Sequence, residues 1–124
     1  MVKIEIIKTS FLVIIIITIN MANFPTMIIG KNAKDNWRIL EEACEDDLWF
    51  HVKDESSAYV IIENDYKTPI TNEDIEEAAR TCKQHSKLRD KKRVHINWLP
   101  VKYVKKGKMV GEAQMKKEPN TLRV

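Results

Sequence analysis

The sequence predicts an α+β domain, two helices packed on a mostly antiparallel sheet, in the order β-α-β-β-α-β-β-β. Three observations carry that reading. Two stretches repeat apolar residues at spacings of three and four and begin with polar caps. Between and after them lie short runs rich in β-branched and aromatic residues, bounded by Gly, Pro, Asn and Asp. The chain has 124 residues, 44% of them hydrophobic, which is enough for one core and too little for two.

Each element follows from local chemistry. Residues 24–29 read as a strand, with Pro25 near its start, where a missing N–H does little harm, and Gly30 at its end. Asn32 can cap a helix over 31–43 whose apolar positions include Trp37, Leu40 and Cys44. An acidic turn leads to a strand at 48–52. The polar link 53–57 leads to another at 58–62, whose continuous apolar run suits an interior position. Residues 71–87 are the clearest helix, with Thr71 or Asn72 as cap. Carboxylates crowd its first turns and Lys83 and Lys87 its last, so both ends complement the helix dipole. The run 94–100 alternates as a half-exposed strand. Residues 101–108 make a further strand and turn, and 121–124 the last strand.

The run FLVIIIITI at 11–19 is half the length a membrane-spanning helix needs. Its β-branching reads first as a buried strand. A signal or anchor stays open, as does a start at Met21 with residues 1–20 an apolar extension outside a domain of 21–124. The two cysteines, Cys44 and Cys82, sit at apolar helix positions and read as buried free thiols.

Charge is unevenly spread. Residues 1–86 hold 9 Lys/Arg against 15 Asp/Glu, a net of −6, while residues 87–124 hold 12 against 3, a net of +9. A one-sided basic field attracts polyanions, although basic tails also serve as solvated surface. Enzyme signatures are missing: there is no phosphate-binding glycine loop, no GxSxG and no HExxH. His51, His85 and His95 fall in separate elements, too few for a metal site. No catalytic residue, metal or cofactor is expected.

Within DLWFHV at 47–52, Leu48, Phe50 and Val52 face one way and are core, while Asp47, Trp49 and His51 face the other. That segment and SSAYV at 56–60 resemble the D-x-W-F-H-x … G-S-H-V core of the NFACT-R domain, the RNA-binding module of ribosome quality-control NFACT proteins and of small coiled-coil-containing relatives. Further segments fall in the same order. IIGKNAKDN at 28–36 resembles V-G-K/R-N-x-x-x-N, and EAAR with HS at 77–86 resembles the helix ending A-x-x-Y-S. VHINWLPVKYVKK at 94–106 resembles V-x-V-x-Y-T-P-x-K-x-V-K-K, and Gly111 and the closing TLRV also match. The similarity spans residues 24–124. Tyr59 stands where the family has histidine, and Ser56 or Ser57 where it has glycine. The family's longer members carry further domains and its small relatives a helical tail. This sequence shows neither, so recruitment through those parts is not expected.

The resemblance implies a cytoplasmic, non-catalytic domain that binds tRNA or ribosomal RNA, linked to ribosome-associated translation quality control. On that reading the RNA-contacting candidates are Lys31, Asn32 and Asn36 at a helix start, His51 and Tyr59 as aromatic contacts, and Ser57 and Ser86 on sugar or phosphate. Lys102, Lys105 and Lys106 are the foremost phosphate contacts, Lys102 and Lys106 sharing one face of a regular strand with Lys105 at its edge, and Lys91, Lys92 and Arg93 are a second cluster. Each has a bland counterpart: Asn32 as a plain cap, the serines as turn residues, the lysines as edge-strand guards. Trp49 reads as structural. Two other functions stay open: a module binding ribosome-associated proteins, and a nucleic-acid binder, DNA included, anchored through 11–19; a membrane partner is the less expected of these.

Overall fold

The computed structural model describes residues 24–124. The apolar run 11–19 and the boundary at Met21 lie outside the described residues. Along the chain come β1 (Met27–Ile29), α1 (Ala33–Glu42), β2 (Leu48–Val52), β3 (Val60–Ile62), α2 (Asn72–Gln84) and β4 (His95–Pro100). A 3-10 turn (Val101–Tyr103) leads to β5 (Val104–Lys106), β6 (Ala113–Met115) and β7 (Asn120–Arg123). The order matches the expected one, with β6 an addition. AQM carries too little apolar character to announce a strand.

Five strands form one antiparallel sheet in the order β1-β3-β2-β4-β7, and β5–β6 is a separate hairpin. The continuous apolar run of β3 does lie in the interior, fully buried between β1 and β2. β4 departs from expectation. Instead of one solvated face it buries Ile96, Asn97 and Leu99, and Trp98 stacks on Phe50 with centroids 6.1 Å apart.

The two helices cover opposite faces of the sheet. On one face Phe50, Val52, Val60, Ile62 and Ile96 pack against Ala78, Ala79 and Cys82 of α2. On the other, Trp49, Tyr59, Ile61 and Leu99 pack against Ile39 and Leu40 of α1 and Val104 of the hairpin. Alternation along β2 makes the division, since successive side chains leave a strand on opposite sides. Burying each large side chain contributes about 1.5–3 kcal/mol.

Local chemistry sets the helix ends. Asn32 Oδ1 accepts from Asp35 N at 2.9 Å to cap α1. Thr71 and Asp74 exchange hydrogen bonds in a full capping box at α2. Helix α1 stops at Glu42, so Cys44 falls in the turn beyond it and is exposed, unlike buried Cys82. That corrects the expectation of two buried thiols. Asp47 then clamps the turn: its carboxylate accepts from Cys44 N and Asn64 N, both at 2.8 Å.

Candidate nucleic-acid interface

Helix α1 and the β5–β6 hairpin cover only part of their sheet face. Past Trp49 and Tyr59 the face is left open, and the register of β2 on β4 places His51 opposite Asn97 there. These residues floor a groove of about 1250 Å³. Its walls are the first turn of α1, the 54–58 loop, the 84–89 segment after α2, and the hairpin tip at 110–113.

The walls are fixed by backbone hydrogen bonds. Asn36 is buried; its Nδ2 donates to Ser57 O at 3.2 Å and its Oδ1 accepts from Tyr59 N at 3.0 Å. This clip binds α1 to the strand entry, and a Cβ at Gly30 would sit 1.9 Å from the same Oδ1. The hairpin tip is held by Trp37 Nε1 donating to Glu112 O at 2.9 Å and Tyr59 Oη donating to Gly111 O at 2.6 Å. Gly111 has φ +85°, and a Cβ there would stand 2.7 Å from that of Ala33, so glycine is required on two grounds.

The sequence-predicted residues divide accordingly. Tyr59 is corrected outright as an aromatic contact. It is fully buried, its hydroxyl is spent on Gly111, and burial pushes its pKa up to about 12. It is an internal strut between sheet and hairpin. Asn36 spends both amide atoms on the wall, and Asn32 spends its Oδ1 on the α1 cap. Ser57 Oγ accepts from Val52 N and donates to Ala58 O, both at 3.1 Å. Ser86 Oγ donates to Lys83 O at 2.7 Å. The two serines meet in a single β-bridge that joins the 54–58 loop to the end of α2. Lys31 is exposed at the groove rim, and His51 is half-buried on the floor. Burial lowers the His51 pKa and keeps the ring neutral at pH 7.

Lys102, Lys105 and Lys106 do not form one face, which corrects the expectation that the first and last share a regular strand. The 3-10 turn ends that regularity, since β5 starts only at Val104. Lys102 pairs with Asp46 at 3.4 Å, and Lys106 pairs with Glu41 of α1 while lying 5.0 Å over the Trp37 ring. Lys105 lies on the opposite side of the hairpin from Lys106, close enough to Lys116 to depress its pKa. Lys102 and Lys117 both flank the Tyr103 ring, at 5.5 and 4.9 Å.

Basic residues gather elsewhere, around the segment after α2. His85, Lys87 and Arg89 edge the groove. Lys91, Lys92 and Arg93, with Lys53 and His95, line an adjoining hollow of about 320 Å³. Asp54 borders both. Among the described residues none of these lysines and arginines has an ion-pair partner, whereas Lys102, Lys106, Arg38 and Arg80 all do. Lys91, Lys92 and Arg93 thus lie where the second cluster was expected. Lys87, Arg89, Lys53 and Asn97 escaped sequence reasoning. The charge excess after Lys87 signals the first two, but only strand register brings Lys53 and Asn97 to the site.

Residues 14–117 match the family model of the NFACT protein RNA-binding domain. The chain belongs to this family. The matched span begins inside the apolar run at 11–19 and takes in the whole groove and its basic rim. Among solved structures, the chain is similar to the C-terminal part of the fibronectin/fibrinogen-binding protein of Streptococcus suis, with 27% identity and a TM-score of 0.72. That likeness covers 79% of this chain and 40% of the other. No curated protein matches the chain significantly. In this NFACT-type RNA-binding domain, the D-x-W-F-H segment supplies at once the clamp Asp47, the buried Trp49 and Phe50, and the groove residue His51.

Among the described residues no three His, Cys, Asp or Glu side chains gather to hold a metal ion. Among them, too, no helix is long and apolar enough to cross a membrane.

Proposed function

We propose that the protein is a non-catalytic RNA-binding domain that takes tRNA or ribosomal RNA, in the cytoplasm, as part of ribosome-associated translation quality control. Family membership supports RNA as the partner. The observation that carries the reading is the run of unneutralised cations along 87–93 beside a groove with unspent polar groups. Ammonium and guanidinium groups without carboxylate partners keep their full field for phosphates, and the counterions they release make binding strongly salt-dependent. Lys31, exposed at the rim, adds a cation on the facing wall.

The test is filter binding of tRNA at two salt concentrations. Replacing Lys87, Arg89, Lys91, Lys92 and Arg93 with Gln is expected to weaken binding and to flatten the salt dependence. The slope should fall by about 0.9 per lost contact to duplex and about 0.7 to single strands. Unchanged affinity and slope would refute the basic rim.

A second reading, a protein-interaction module, is favoured by the name of the streptococcal relative, which describes a binder of fibronectin and fibrinogen. It predicts no measurable tRNA binding at low salt, with the charged segment only solubilising.

A further inference from the structure

The groove floor holds hydrogen-bonding capacity that the protein leaves unused. Trp49 is 1% exposed, yet its indole N–H has no acceptor, and among the described residues it is the one buried side-chain nitrogen or oxygen in that condition. Buried polar groups are otherwise nearly always paired, so an orphaned donor on the floor of an open groove marks a place where an acceptor arrives from outside. Asn97 is 7% exposed; its Oδ1 accepts from Thr121 Oγ1 at 3.0 Å, and its Nδ2 meets no acceptor among the described residues. His51 lies parallel to Trp49 with ring centroids 5.7 Å apart. Its ring already hydrogen-bonds the Val52 backbone, which leaves the other nitrogen of the neutral ring as an acceptor.

This mixture does not suit a phosphate. A phosphate oxygen only accepts, and the three groups carry no charge to balance one. Donors beside an acceptor suit the polar edge of a nucleobase. In an RNA duplex that edge is taken by the pairing partner, whereas an unpaired base can turn it toward protein. A cation for the adjoining phosphate stands on the wall, where Lys31 is exposed at the groove rim.

We propose that the groove accepts one unpaired nucleobase of a bound RNA, with its polar edge at Trp49 and Asn97 beside His51 and its adjoining phosphate at Lys31. The proposal rests on the RNA-binding reading above and narrows it to RNA with a single-stranded end, loop or bulge. The basic rim then supplies affinity, and the floor supplies the choice between paired and unpaired RNA.

Trp49→Phe keeps an aromatic ring in the core and removes the indole donor; Asn97→Leu removes the amide at similar volume. The full chain and both variants are titrated with a blunt RNA duplex and with the same duplex bearing an unpaired 3′ overhang. The wild type should prefer the overhang, and each variant should lose roughly five- to tenfold on the overhang alone, the worth of one hydrogen bond to a buried group. Equal losses on both RNAs, or none on either, overturn the nucleobase seat while leaving the rim reading intact. Absence of binding to both RNAs by the wild type overturns the two together. A titration that needs no variant to fold follows the wild-type indole N–H resonances by NMR. Nucleoside 5′-monophosphate should move one of them, and inorganic phosphate at the same concentration should not. An equal response to both, or no response to either, contradicts base recognition.

Discussion

The two faces of the sheet are built from alternate residues of the same strands and serve different ends. Toward α2, β2 sends Phe50 and Val52 into a layer closed by Ala78, Ala79 and Cys82. Toward α1, the same strand sends Trp49 and His51, and the cover stops after Trp49, so half-buried His51 borders the groove beside buried Asn97. One face spends all of its surface on stability. The other is covered only as far as its hairpin and short helix reach, and the uncovered remainder is polar. Function is therefore to be sought on the α1 face, and damage on the α2 face should be thermodynamic.

The largest expected effect breaks the closed face. Phe50→Ala removes a fully buried ring and should cost about 3–5 kcal/mol, read as a fall in the urea midpoint. Its loss of RNA binding should track the unfolded fraction and nothing more.

A smaller effect should unite stability and binding on the open face. Asn36→Ala removes the clip between α1 and the Ser57–Tyr59 backbone and strands the buried Tyr59 N–H and the half-buried Ser57 carbonyl. It should cost about 1–3 kcal/mol. It should also weaken RNA binding under conditions where calorimetry shows the domain still folded, because the wall carrying Lys31 loosens.

The faces should also differ in acid. Burial lowers the folded pKa of His51 from its ordinary value of 6.5. As pH falls below 6.5 the unfolded chain takes up this proton more readily than the folded one, so His51 withdraws stability on acidification and leaves it intact above that pH. Between pH 7.5 and 5.5 the wild type should lose more stability than His51→Gln, and identical pH profiles would deny the buried environment of the ring.

The least perturbing comparison is chemical. Cys44 is exposed, whereas Cys82 lies within the α2 layer, where burial pushes its thiol up to about 11. A thiol reagent should label one cysteine in the native protein and both in denaturant, with peptide mapping assigning the first to Cys44.

Local chemistry announced much of the fold. The apolar run of β3 reads as interior because solvent has no claim on it, and the Thr71 capping box and acidic first turn mark α2 without any tertiary information. The site was less legible, because its parts meet through long-range geometry. Tyr59 looked like a surface aromatic, since nothing near it in sequence tells that its hydroxyl reaches Gly111, 52 residues on. Lys102 and Lys106 looked like neighbours because a 3-10 turn after Pro100 leaves no mark in alternation. His51 was visible, but its partner Asn97 hid inside an apolar strand until register paired them. Charge was legible in total and misplaced in detail, because only the structure shows which lysines already have carboxylates.

The central claim is that RNA meets the groove side of the α1 face. Hydrogen–deuterium exchange of the full chain with and without bound tRNA tests it most directly. Slower exchange should appear at 31–36, 54–58 and 84–93, with the outward turns of α2 around Glu76 and Arg80 unchanged. Slowing confined to α2, or to the hairpin strands β5 and β6, would contradict it.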